Sequence, residues 1–287
     1  MGMRIAPLSD VLGAEIAGID IARELDAAAF EAVRGAFLRY RVLVFRDQYL
    51  GPGDQVAFSA RFGPLEEHDN RRYNLPDQPH VMVLSNDLRD GEPVGVPDAG
   101  DSWHTDLSFK ETPSLCTLLQ AVTLPREGGD TAFACMTRAY AALPADIKAR
   151  IAGRRAIHNP SKLANPRVEI SPLRKDAAAF YSGQSARFAE VAHPIVRTHP
   201  ETGEKSLYVQ PRFAIGIEDM DDAEAQPLLD TLFAHQTRAE FVYRHRWRDG
   251  DLLMWDNRCL IHYATGGYVY PDIRTMHRTT VLGDRPY

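Results

Sequence analysis

Residues 250–264 read GDLLMWDNRCLIHYA, and two strands fit inside them, Asp251–Asp256 and Cys259–Tyr263, parted by a polar turn. Phe241–Trp247 gives a further strand upstream and Thr275–Leu282 another downstream. Working outward, apolar runs predict strands at Val42–Phe45, Val81–Ser85, Leu115–Leu124, Thr131–Cys135, His193–Thr198 and Ser206–Gln210. The last two are joined by a hairpin-like Pro-Glu-Thr-Gly at 200–203. Helical spacing is confined to Ala27–Tyr40, Asp54–Phe62, Met136–Leu143, Ala145–Ile151 and Asp221–His235. Strands dominate the second half, helices sit at the edges, and there is no regular βαβ alternation. The expected fold is therefore mixed but mainly β: a double-stranded β-helix (jelly roll) core with flanking α-helices, residues 1–287 forming one domain.

The same stretch carries His262, and residues 103–106 read Trp-His-Thr-Asp. In an extended segment, side chains two apart point to the same side, so His104 and Asp106 can hold one ion together. A rolled sheet can return His262 beside them. Two imidazoles and one carboxylate on one face of a metal leave coordination positions open, which suits non-haem Fe(II) oxygenases. His-x-Asp alone is a weak signal in a chain of 10 histidines, since such a pair is often a structural hydrogen bond. Arg274 and Arg278 strengthen the set. Four residues apart in a strand, they share a face, and buried cations are costly without anions, so they predict two anionic ligands. Two other readings use the same residues. One is a jelly-roll protein that merely binds a metal or an anion; the other is a zinc hydrolase, which would need a general base near the metal.

From about residue 40 onward the chain resembles the taurine dioxygenase family, which includes the 2,4-dichlorophenoxyacetate dioxygenases. The matching stretches are Leu43-Val44-Phe45-Arg46, Arg61-Phe62-Gly63-Pro64-Leu65, WHTDLSF (103–109), GGDT (128–131), HPIVRTHPETGEKSLYV (193–209), GDLLMWDNRCLIHYA (250–264) and RTMHRTTVLGDRP (274–286). The resemblance implies an Fe(II)- and 2-oxoglutarate-dependent dioxygenase that consumes O2 and releases succinate and CO2. It implies His104, Asp106 and His262 as the metal ligands. Related halogenating sites lack the carboxylate, so Asp106 favours hydroxylation. Arg274 falls at the clamp on the distal carboxylate of 2-oxoglutarate, and Thr131 at a second contact to it. Arg278 falls where the taurine enzyme grips its sulfonate, helped by a histidine that His68 matches. The substrate is thus expected to be a small anionic molecule, a sulfonate or a carboxylate. The pocket departs from the taurine pattern, with Arg71 in the place of a tyrosine and Gly100 in that of an asparagine. Tyr73, Phe109, Tyr208 and Phe213 are further candidates for its walls. Asp256, Asn257 and Trp103 are expected to serve turn chemistry and packing.

Composition fits this reading. The chain has 287 residues, 44% hydrophobic and 25% charged, as in an ordinary globular protein that needs no staples. A net charge of −6 gives no reason to expect nucleic acid or an anionic membrane as a partner. No apolar run approaches the roughly 20 residues needed to span a bilayer, and residues 1–20 do not read as a signal peptide. Cys116, Cys135 and Cys259, without a CxxC, fit reduced thiols in the cytoplasm. A homo-oligomer, dimer or tetramer, is expected. Residues 64–102, rich in Pro, Gly, Asp and Asn, read as a long functional loop that forms a lid.

Overall fold

The computed structural model describes residues 2–68, 71–165, 167–170 and 177–287. The protein is mainly β, with six α-helices among the described residues. The largest sheet has eight strands in the order Arg4–Pro7, Ala14–Ala17, Val42–Phe45, Leu252–Asp256, Ser114–Thr123, Thr275–Leu282, Gln78–Ser85 and Asn74–Leu75. Only the pairing of Ala14–Ala17 with Val42–Phe45 is parallel. A three-stranded sheet, Val242–His245, Thr131–Cys135 and Leu260–Ala264, packs against it.

Strict alternation builds this two-layer core. Val42, Val44, Leu119, Ala121, Leu253, Trp255 and Met276 point inward and meet Phe133, Cys135 and Leu260 from the smaller sheet. Their neighbours Leu43, Phe45, Leu118, Leu252, Met254 and Val281 point outward, where helices Ala27–Tyr40 and Pro52–Ala60 cover them with Val33, Phe37 and Phe58. Burying a side chain such as Phe37, which is 2% exposed, contributes on the order of 2–3 kcal/mol. Asp26 caps the first of these helices by accepting from the amide of Ala29 at 2.8 Å.

Behind the smaller sheet, Ala134 and Ile261 join a third cluster with Leu228, Leu229, Leu232 and Phe233 of helix Asp222–Gln236. Those four residues form the buried face that the spacing predicts. A further three-stranded sheet, Val191–Pro194, Arg155–His158 and Ala214–Ile217, lies in the same region.

Some expectations need correction. The strand expected over His193–Thr198 is two, Val191–Pro194 and Val196–Thr198, in different sheets; Pro194 has no N–H with which to continue a ladder. The Ser206–Gln210 strand is Lys205–Leu207, and it pairs with Val196–Thr198 across the expected turn. The helix read as Asp54–Phe62 runs from Pro52 to Ala60. The 64–102 stretch carries a 3-10 turn at Arg71–Tyr73 and short strands at Asn74–Leu75, Leu88–Arg89 and Glu92–Pro93 besides Gln78–Ser85. In the weakly patterned 153–192 stretch lie strand Arg155–His158 and helix Ala177–Arg187; residues 166 and 171–176 are outside the described residues. No helix among the described residues is long and apolar enough to cross a membrane.

Candidate functional site

His262 lies on strand Leu260–Ala264, its side chain on the inner face with Leu260. His104 forms an isolated antiparallel bridge with it: His262 N donates to His104 O at 2.7 Å and His104 N to His262 O at 3.0 Å. The two rings stand 4.1 Å apart between centroids. The segment around His104 is not a strand, however. Only His104 pairs, and the chain turns at Asp106 and Leu107, the latter at φ +60 in the left-handed region. The turn still delivers the Asp106 carboxylate to both imidazoles. Asp106 Oδ1 is 3.7 Å from His104 Nε2, and Oδ2 is 3.8 Å from His262 Nε2. Ligand atoms of all three lie within 4.8 Å of one another, and all three residues are buried.

Those separations are too long for hydrogen bonds, yet the atoms face one another in the interior. A shared cation would fill that gap. The protonation pattern agrees. His104 donates its Nδ1–H to the carbonyl of Ser102 at 2.8 Å, which leaves Nε2 with a free lone pair. Burial and the neighbouring His104 depress the His262 pKa to about 3, and burial also lowers that of His104. Burial alone would raise the Asp106 pKa, but His262, Arg278, His104 and a hydrogen bond from Thr117 hold it well below the usual range. The donor set is thus two neutral imidazoles and an ionised carboxylate.

Asp106 has a buried support. Thr117 donates its hydroxyl to Oδ2 at 2.6 Å, and Asn257 Nδ2 donates to Thr117 Oγ1 at 2.9 Å. The Asn257 Oδ1 accepts from Trp255 Nε1 at 3.1 Å and from the Asp106 amide at 3.3 Å. Asn257 therefore does more than make a turn. Its neighbour Asp256 is also more than turn chemistry: buried, it accepts two bonds from the Arg258 guanidinium, at 2.8 and 2.7 Å, and one from His199 at 3.0 Å. Asp256, His199 and Cys259 form a second cluster of ligand-type atoms, but Arg258 already neutralises its carboxylate.

The two arginines sit at different points. Arg278 shares the inner face of strand Thr275–Leu282 with Met276, and its Nη1 is 3.4 Å from Asp106 Oδ1. His277 is displaced from that face; its carbonyl accepts from Gln55 of helix Pro52–Ala60. Arg274 precedes the strand, and the bulge opposite Thr275 and Met276 puts its extra residue, Val122, in Ser114–Thr123, so the count of four from Arg274 to Arg278 is kept. Arg278 lines the cavity described below, and Arg274 turns toward Trp247 and Gly129 on the side of the smaller sheet. Arg274 is buried against Trp247, 5.7 Å from ring centroid to guanidinium carbon, and donates Nε–H to the Gly129 carbonyl at 3.1 Å. No carboxylate among the described residues pairs with it, and burial lowers its pKa. Trp247 Nε1 in turn donates to Thr131 Oγ1 at 3.0 Å, so Thr131 and Arg274 share one corner. The GGDT segment explains itself here. Gly128 and Gly129 both have φ near +75, and a Cβ on Gly129 would lie 3.0 Å from Arg274 Cδ.

A cavity of about 160 Å³ opens onto His104, Asp106 and Arg278. His68, Tyr73, Phe109 and Phe213 line it, as does Gly100, at φ +77. Tyr208 does not; it is buried among His158, His193 and Arg197. Arg71 is exposed and pairs with Glu67 at 2.6 Å, so it is no pocket residue. Lining residues that sequence reasoning missed include Lys162, Phe180 and Tyr181 in the weakly patterned middle stretch and Arg212 beside Phe213. Lys162 is paired with Asp101, and the Tyr181 hydroxyl bonds Asp98 at 3.3 Å.

The profile of the taurine catabolism dioxygenase TauD, TfdA family matches residues 4–280. The chain is 35% identical to the (S)-phenoxypropionate/alpha-ketoglutarate-dioxygenase of Sphingobium herbicidovorans, over 98% of this chain and 95% of that one. It is 32% identical to an alpha-ketoglutarate-dependent sulfate ester dioxygenase of Pseudomonas putida, covering 98% and 90%. Among solved structures, AAD-2 in complex with Mn(II) and N-oxalylglycine superposes with a TM-score of 0.83 at 31% identity, covering 100% and 98%.

Proposed function

The chain belongs to the TauD, TfdA family and is an α-ketoglutarate-dependent dioxygenase using Fe(II), 2-oxoglutarate and O2, and we propose that it hydroxylates a small organic anion, a sulfonate or a carboxylate. The observation that carries the site assignment is the buried meeting of the His104, Asp106 and His262 side chains with no hydrogen bond between those side chains. These three residues would hold the metal on one face. When bound, Fe(II) supplies the redox chemistry that couples O2 reduction to decarboxylation of 2-oxoglutarate and oxidation of the substrate. The two packed sheets, with His262 and His104 brought together across an isolated antiparallel bridge, support the reading of the core as a double-stranded β-helix.

Arg274 is assigned to the distal carboxylate of 2-oxoglutarate. It is buried, lacks an acidic partner among the described residues, and presents a guanidinium fork suited to a carboxylate. Thr131 can add a second bond. Its oxygen already accepts from Trp247, so its own hydroxyl proton is left for an acceptor such as a carboxylate. Arg278, with His68, is assigned to the substrate's anionic head, which it would hold beside the metal face. The aromatic walls Tyr73, Phe109 and Phe213 shed water and favour an apolar body behind that head. The three cysteines, buried and free, support a reducing, cytoplasmic setting.

Succinate release should be measured with Fe(II), 2-oxoglutarate and ascorbate across alkylsulfonates, alkyl sulfates, aryloxyalkanoates and their neutral amides. Anions of one class should stimulate turnover well above the uncoupled rate. Equal stimulation by the neutral amides would overturn the anionic-substrate assignment.

A further inference from the structure

Strand Ser114–Thr123 shows an exception to its own pattern. On its inner face Leu119 and Ala121 are apolar, but Thr117 in the same row is fully buried. A buried hydroxyl in such a row is unfavourable unless bonded, and valine would fill the position equally well. Thr117 is bonded in one direction only. Trp255 Nε1 can only donate, so Asn257 must turn Oδ1 toward it; the Asp106 amide donates to that same oxygen. The Asn257 Nδ2 therefore faces Thr117 and donates to Oγ1. With its lone pair so used, the single Thr117 proton points at Asp106 Oδ2, 2.6 Å away. Each group in the chain Trp255, Asn257, Thr117, Asp106 is buried, so water cannot substitute for a missing link.

We propose that Thr117 and Asn257 are positioning residues that occupy one oxygen of Asp106 and so make it a one-oxygen ligand to the metal. Oδ2, 3.8 Å from His262 Nε2, is taken by the hydroxyl at 2.6 Å; Oδ1 faces His104 Nε2 and has only the longer 3.4 Å contact from Arg278 Nη1, so it is the oxygen left for the ion. This preserves the open coordination positions that a two-oxygen carboxylate would reduce. The inference rests on Asp106 being a ligand, and the test separates the two claims.

Metal-free protein is titrated with Co(II), reading both affinity and the visible d–d spectrum, for wild type, Thr117→Val, Thr117→Ser and Asp106→Ala. Loss of the hydroxyl in Thr117→Val should weaken Co(II) binding by roughly 10–100-fold, the range for a lost outer-sphere partner, and alter the spectrum. Thr117→Ser, which keeps the hydroxyl, should restore both. Should Thr117→Val fail to fold, Thr117→Ala deletes the hydroxyl without placing a methyl against the carboxylate. Wild-type affinity and spectrum in the hydroxyl-free variant overturn the proposal, as does equal weakening in Thr117→Ser, which would mean packing. If Asp106→Ala binds Co(II) like wild type, the ligand assignment itself fails.

Discussion

The metal corner and the walls of the adjoining cavity are held in different ways. His262 and His104 are fixed by reciprocal backbone bonds of 2.7 and 3.0 Å, and Asp106 by a buried chain of side chains running back to Trp255 in the central sheet. The cavity walls come from residues such as His68, Tyr73, Lys162, Tyr181, Phe109 and Phe213, and are tied by side-chain contacts such as Lys162 with Asp101 and Tyr181 with Asp98. A pair of strands cannot shift by one residue without moving every side chain to the other face, whereas a tethered segment can change length or sequence locally. The difference assigns reaction type to the sheets and substrate choice to the segments laid over them. Relatives that act on a phenoxypropionate and on a sulfate ester, at 35% and 32% identity, fit that division.

The most severe way to break the comparison is His262→Ala. It should abolish turnover and weaken Co(II) binding by more than the roughly 10–100-fold typical of an outer-sphere change, with the fold intact by circular dichroism. Retained binding would mean that the corner is not the metal site.

Next in size, Arg274→Ala should raise the apparent KM for 2-oxoglutarate by the equivalent of about 2–5 kcal/mol, because a buried charge pair loses one partner. Substrate KM measured at saturating 2-oxoglutarate should change little. If 2-oxoglutarate KM holds in this variant and rises in Arg278→Ala, the two arginines exchange roles.

Arg278→Ala should cost about 1.5–3 kcal/mol in kcat/KM for the anionic substrate, the worth of a hydrogen bond to a charged group. It should leave slow decarboxylation uncoupled from substrate. A proportional fall in uncoupled decarboxylation would place Arg278 with the metal corner rather than the cavity.

The smallest effect sharpens the scaffold side. His193 packs on His158 and Tyr208 and donates Nε2–H to the Lys110 carbonyl at 2.9 Å; burial lowers its pKa to about 4. As pH falls below the unfolded value near 6.5, the unfolded chain takes the proton first, so stability is lost between there and pH 4. At pH 5.5 the group's share is about 1 kcal/mol. Urea unfolding at pH 7.5 and 5.5 should show His193→Gln losing less stability between the two than wild type does; an unchanged difference would refute this.

How far each region could be read from sequence follows from the same contrast. The long interior strands and the Leu228–Phe233 face were legible because burial enforces a regular apolar period. Four-residue strands such as Arg4–Pro7 and Arg155–His158 were not: they alternate too briefly to separate from a loop. The meeting of His104, Asp106 and His262 was legible because few residue types do that chemistry. Thr117 was not, since threonine is an ordinary strand former and its partner Asn257 lies 140 residues away. Placing Arg71 in the pocket failed through local register: two residues on, Tyr73 is the one that turns inward from the 3-10 turn.

Strand Thr275–Leu282 lies inside the eight-stranded sheet, between Ser114–Thr123 and Gln78–Ser85. Its neighbours are synthesised 152 and 190 residues before it, counting from Thr123 and Ser85 to Thr275. Until it arrives, each presents an unpaired edge, rich in Val, Leu and Met, able to template pairing with another chain. The same strand carries Arg278, and His262 is made only shortly before it, so the candidate metal corner and the cavity beside it are completed together, late in synthesis. Protection of those two edges during translation should therefore matter for yield, and lowering the temperature or supplying a holdase chaperone should raise soluble protein without any change in sequence.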